Sequence, residues 1–304
     1  MNTDTALDLP GPSRIAGGAV RQMIGSSRPL SWVNTAYPFG AAYLISGGAI
    51  DTVFWIGIVY FLVPYNLLMY GVNDVFDYES DLRNPRKGGV EGVVLLGRWH
   101  RATLWTATLS NVPFIAVLAA VGTLPSATAL AVTVFAVVAY SAPGLRFKER
   151  PLLDSVTSST HFVGPAVFGF ALADHRSTVS AAVCFAAFFL WGMASHAFGA
   201  VQDIRADKGA SIASVATSLG AVVTVRLAIA AYTAAGLILL AGTGWPGRLA
   251  GLLALPYLVN LLPFRSLAEQ DCELAHAGWR RFLMLNYLTG FLLTQLLIWV
   301  TLGG

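Results

Sequence analysis

Residues 52–81 read TVFWIGIVYFLVPYNLLMYGVNDVFDYESD. No charged residue occurs from Thr52 to Asn73, and a helix needs about 20 apolar residues to cross the hydrocarbon core of a bilayer. The run is therefore predicted to span a membrane and to stop in an acidic cluster, Asn73-Asp-Val-Phe-Asp-Tyr-Glu-Ser-Asp81. Asp74, Asp77 and Asp81 recur at i, i+3 and i+7, which puts them on one face of a helix. Unpaired carboxylates there repel one another and resist entry into a membrane, so the face needs a positive partner. Carboxylate and amide oxygens suit a hard divalent cation, and Mg²⁺ is the best candidate.

The rest of the chain has the same character. Its 304 residues are 56% hydrophobic and only 12% charged, where soluble domains carry about 25% charged residues. An all-α, polytopic membrane protein is predicted. Nine apolar segments qualify as transmembrane helices: 32–50, 54–78, 102–122, 125–142, 157–173, 179–202, 217–241, 247–264 and 282–302. Residues 1–30 are polar and contain Pro10, Gly11 and Pro12. They are expected to form a flexible cytoplasmic tail, with an interfacial helix near Arg14 to Gly25, ahead of one nine-helix domain over 31–304. The net charge of +3 argues for no nucleic-acid partner, because the cations sit in short loops between apolar runs. The two cysteines, Cys184 in an apolar run and Cys272 in a polar loop, do not make a disulfide framework.

Loop charge orients the nine segments. Seventeen of the 19 Lys and Arg fall on one side when Arg226, early in the seventh segment, is counted there, with only Arg176 and Arg248 opposite. By the positive-inside rule the tail and the loops after even-numbered segments face the cytoplasm and the C-terminus lies outside. The expected location is the cell membrane.

A second acidic cluster, Gln202-Asp-Ile-Arg-Ala-Asp-Lys208, closes the sixth segment. Asp203 and Asp207 are i, i+4 neighbours on one helical face. Both clusters are expected at the same depth, facing each other across a cavity. Loop acids at a membrane surface are often just solvated or paired with nearby Lys and Arg. Six of the 16 acidic residues crowd into these two segments, however, and only Glu79 falls off the shared face. Two such groups can hold Mg²⁺, with a diphosphate completing the coordination. Arg86, Lys87, Arg146 and Lys148 are placed to neutralise phosphate oxygens, whereas the positive-inside bias alone accounts for Arg98, Arg101, Arg280 and Arg281.

The set Asn-Asp-x-x-Asp-x-x-x-Asp after the second segment, Asp-x-x-x-Asp after the sixth, and Tyr140-Ser-Ala-Pro…Arg146-Phe-Lys148 between the fourth and fifth resembles the UbiA superfamily of intramembrane prenyltransferases. The resemblance implies a helical bundle around a central cavity open to lipid, and Mg²⁺-dependent transfer of a prenyl group from a prenyl diphosphate. It implies Asn73, Asp77 and Asp81 as metal ligands with Asp74 beside them, and Asp203 and Asp207 as their partners. It also puts Arg86, Lys87, Lys148, Arg146 and Tyr140 at the diphosphate. Many members acting on aromatic acids have Arg where this chain has Tyr78. The first cluster with Asn84-Pro-Arg-Lys-Gly-Gly, and Leu153-Asp-Ser-Val-Thr-Ser-Ser-Thr-His161-Phe-Val-Gly-Pro-Ala166, is most similar to the lycopene elongase branch. That implies dimethylallyl diphosphate as donor and lycopene as acceptor.

The implied chemistry is ionisation of the donor and attack by an acceptor double bond. The resulting tertiary cation must lose a proton or capture water. Aromatic faces can stabilise such cations; Phe39, Tyr43, Tyr65, Tyr70, Phe162, Phe168 and Phe198 are candidates, each more simply read as a packing or lipid-facing ring. His161 and His196 are candidate proton acceptors, each more simply read as hydrogen-bonded within the bundle. The scarcity of mid-span charge suits an apolar acceptor. An aromatic or quinone-precursor acceptor is the alternative within the enzyme class, and an ion-coupled transporter the alternative outside it.

Overall fold

The computed structural model describes residues 18–83, 94–173 and 179–303. Among them the secondary structure is helix alone. Arg86 and Lys87 lie outside the described residues, as does the side chain of Asp81. The principal helices are α1 (Ala19–Ser26), α2 (Val33–Ile45), α3 (Thr52–Phe76), α4 (Tyr78–Arg83), α5 (His100–Val121), α6 (Leu124–Ser141), α7 (Leu153–Leu172), α8 (Val179–Val201), α9 (Ile204–Gly209), α10 (Val215–Gly242), α11 (Trp245–Phe264) and α12 (Ala275–Gly303).

Among the described residues, seven helices are long and apolar enough to cross a membrane. Two expected spans fall outside that set, each for a physical reason. The helix α2 has only 13 residues. The helix α7 has 20 but is polar, burying Asp154, Ser155, Thr157, Ser159 and His161. It packs against α2, α6 and α8, and those neighbours shield its polar groups from lipid. Close approach depends on small residues, as expected where helices pack in a bilayer. A Cβ added at Gly164 would stand 2.3 Å from Thr133 Oγ1, and one at Gly169 2.5 Å from the Phe39 carbonyl oxygen. The same holds for α2 on α3, where a Cβ at Gly57 would lie 2.1 Å from Phe39 Cζ. Phe39 is fully buried and has no room to retreat. Gly57→Ala is therefore expected to destabilise the bundle by about 1–3 kcal/mol, seen as a lower unfolding midpoint in detergent.

The decisive helix α3 is not uniform. Pro64 interrupts it, and a π-helical turn follows at Leu67–Gly71. Such turns recur near functional sites. The break frees carbonyls of the preceding turn, and the buried Asn66 amide takes them, donating to Phe61 O at 2.7 Å and Leu62 O at 3.0 Å. Two apolar clusters flank α7. One gathers Phe39, Tyr60, Phe61, Tyr65 and Phe168; the other gathers Phe198, Ile204, Tyr232, Tyr257 and Phe264.

The expected tail is described from residue 18 onward. There α1 packs on the Leu67–Gly71 turn of α3, the Pro29–Ser31 turn packs on α2, and Gln22, Ser26 and Ser27 are buried. This part of the segment is a folded contributor to the site described next.

Candidate active site

The acidic cluster sits where α3 ends. The helix stops at Asp77, whose φ −102°, ψ 4° lie outside the helical region, and α4 restarts at Tyr78. The Asp77 N–H still bonds the Asn73 carbonyl at 2.9 Å. The single continuous helix expected to carry Asp74, Asp77 and Asp81 is thus two helices, and Asp74 and Asp77 meet different partners.

Asp74 is fully buried. It accepts from Ser26 Oγ at 2.8 Å and from Arg28 Nη2 at 3.4 Å. Arg28, at a left-handed φ of 51°, also lies 4.2 Å above the Tyr70 ring. Asp74 so ties the N-terminal segment to α3, and burying a carboxylate there is tolerable because a cation and a hydroxyl meet it.

Asp77 faces the loop between α6 and α7. That loop turns at Gly144 (φ +84°) and Arg146 (φ 41°) before a 3₁₀ turn at Phe147–Glu149. Lys148 Nζ hydrogen-bonds Asp77 Oδ1 and donates to Asn73 Oδ1 at 3.3 Å. Ser141 Oγ, at the end of α6, donates to the same Asn73 oxygen at 2.9 Å. Arg146 Nη2 lies 3.7 Å from Asp77 Oδ1 and pairs with Glu149. Burial pushes the Lys148 ammonium below its ordinary range, with Asp77 pulling the other way. The Arg146 hydrogen bond holds the Glu149 carboxyl below its usual value.

The second motif forms the short helix α9. Asp203 and Asp207 are half-buried while Arg205, Ala206 and Lys208 between and beside them are exposed, so the two acids turn the same way. Lys208 Nζ meets Glu269 Oε1 at 2.5 Å and Arg205 Nη1 meets Glu273 Oε1 at 3.4 Å. These basic neighbours are thus engaged by the 269–274 turn. Asp203 makes no side-chain cap to α9.

Of the other expected site residues, Tyr140 directs its ring at His161 and His196, with centroids 5.1 and 6.4 Å away. Phe39, Tyr65, Phe168 and Phe198 are buried in packed clusters, which is their simpler reading. Arg28 and Ser141 were missed as site residues. Arg28 looked like one more cytoplasmic charge, and its partner lies 46 positions away, where no local spacing points.

Among the described residues no three His, Cys, Asp or Glu side chains are gathered as a ready-made metal site. The donors still suit a cation. Asn73 Oδ1 and Asp77 Oδ1 converge on one positive centre, the Lys148 ammonium. Two hard oxygens plus phosphate oxygens and water are an ordinary Mg²⁺ environment.

Comparison with known proteins gives the family and the fold. Residues 35–299 match the UbiA prenyltransferase family. The chain is 49% identical over 279 residues to a lycopene elongase/hydratase of Corynebacterium glutamicum, covering 92% of this chain and 97% of that one. It is 52% identical over 285 residues to the C(50) beta-cyclic carotenoids biosynthesis protein LbtBC of Dietzia sp., covering 94% of this chain and 66% of that longer relative. A UbiA homolog from Archaeoglobus fulgidus, solved with DMAPP and Mg²⁺, has the same fold: TM-score 0.64 at 15% identity, over 88% of this chain and 98% of that one. From its residues, its fold and these likenesses, the chain belongs to the UbiA prenyltransferase family.

Proposed function

We propose that this prenyltransferase adds a dimethylallyl group from dimethylallyl diphosphate to lycopene, with Mg²⁺ between the donor and the two acidic motifs. The observation that carries the donor half is the convergence of Asn73, Asp77, Lys148 and Arg146 at one helix break. Support for the acceptor half comes from relatives near 50% identity named for lycopene elongation and from Tyr78, where many members acting on aromatic acids carry Arg.

Asn73, Asp77, Asp81, Asp203 and Asp207 would hold the ion, which supplies positive charge against the departing diphosphate. Lys148 and Arg146 then act on the diphosphate directly. Their ammonium and guanidinium now rest on Asp77, and a diphosphate competes for them, so they meet its oxygens as charge develops. Arg86 and Lys87 are assigned the same task from sequence. Burial of Lys148 keeps bulk water from screening that contact. The architecture we infer is nine transmembrane helices around a cavity open to lipid, with the N-terminus and both motifs cytoplasmic and the C-terminus outside.

Purified protein in detergent, given Mg²⁺, dimethylallyl diphosphate and lycopene, is expected to release diphosphate and to form C45 and C50 products. Chelation with EDTA is expected to abolish release, and excess Mg²⁺ to restore it. Release undiminished by EDTA would remove the metal from the proposal. Product formation with an aromatic acceptor but none with lycopene would move the enzyme to quinone-type chemistry.

A further inference from the structure

Two histidines lie inside the bundle, and their surroundings differ. His161 on α7 is 4% exposed, and its Nε2 has no partner among the described residues. His196 on α8 is more open, with 20% of its side chain exposed, and its Nε2 lies 3.8 Å from Asp154 Oδ2. Asp154 is fully buried and held still by two backbone groups, accepting from Ser155 N at 2.7 Å and Val215 N at 2.6 Å. The Tyr140 ring lies 6.4 Å from the His196 ring, and the next residue, Ser141, holds Asn73 of the first motif. His196 also precedes Asp203 by seven residues, about 10 Å of helical rise deeper in the membrane.

We propose that His196 accepts the proton that ends the transfer reaction, and that Asp154 is its positioning residue. This rests on the function proposed above. The donor C–O bond breaks and its electron pair leaves with diphosphate. A π pair of the acceptor forms the new C–C bond, which leaves a tertiary cation. A proton on the carbon beside that cation passes to His196, and its C–H pair becomes the new double bond. A carboxylate beside Nε2 keeps the N–H there, so Nδ1 presents the lone pair. The imidazolium that forms then stands against a fixed negative charge. The same proton on His161 would be a buried charge with no opposite partner among the described residues.

The test counts products rather than rate. Wild type, His196→Gln and Asp154→Asn are each given Mg²⁺, dimethylallyl diphosphate and lycopene. Molecules carrying the new C–C bond are then sorted into olefins and alcohols. In His196→Gln the ratio of olefin to alcohol is expected to fall about 10²-fold, the low end of what a general base contributes, as water captures the cation. Asp154→Asn is expected to shift the ratio the same way by less. Imidazole added to His196→Ala is expected to restore olefin. An unchanged ratio in His196→Gln, or its loss in His161→Gln alone, overturns the proposal. Should His196→Gln fail to fold, the absence of imidazole rescue in His196→Ala overturns it. Should neither fold, an unchanged ratio in Asp154→Asn does. A wild type that forms no C–C bond with lycopene instead overturns the proposed function.

Discussion

Asp77→Ala is expected to cut diphosphate release from dimethylallyl diphosphate by about 10²–10³-fold or more, the scale of losing one preorganised group opposite developing charge. Asp77 has two tasks in the proposed reaction. It is a ligand for the ion that meets the leaving group, and it holds Lys148 and Arg146 at the loop between α6 and α7. Removing it leaves the Lys148 ammonium, 11% exposed, without its carboxylate. Asp77→Asn separates the two tasks: it keeps an oxygen for Lys148 and removes the negative charge that binds the ion. Comparable losses in both variants, with unfolding midpoints in detergent near wild type for Asp77→Asn, would place the effect on charge. Full activity in Asp77→Asn would contradict the metal role.

Asp203→Ala is expected to be as damaging, about 10²–10³-fold, with little loss of stability. The structural reason is local. Losing a helix cap typically costs about 1 kcal/mol, but the Asp203 side chain makes no cap to α9, so its truncation incurs no cap loss. Asp207 remains one turn on, with its N–H still bonded to the Asp203 carbonyl at 2.8 Å. An unfolding midpoint near that of wild type, combined with lost release, would assign Asp203 to chemistry. Retained release would exclude it.

The transporter reading required acids near the bilayer midplane. Membership of the prenyltransferase family replaces it with an enzyme. The two motifs were legible because their chemistry is local: i, i+4 spacing, acids at the end of an apolar run, basic loops beside them. Lys148 was found by the same route, from a motif within one short loop. The Asp154–His196 pair was not, because its members are 42 positions apart on different helices and each alone is an ordinary polar residue in a span. The break at Asp77 carried no Pro or Gly to announce it. The polar helix α7 has the length of a span, but its buried polar groups keep its hydropathy below that of the other long helices.

The sequence by itself determined the helical membrane class, both acidic motifs and the loop lysine that serves the first. Hydropathy and spacing are properties of adjacent residues, so they survive without coordinates. Only the tertiary structure decided which partner each carboxylate meets. Asp74 went to Arg28, Asp154 to His196 and the α10 backbone, and Asp77 to Lys148. A buried charge is set by whatever partner the packing brings to it, and no periodicity along the chain encodes that partner.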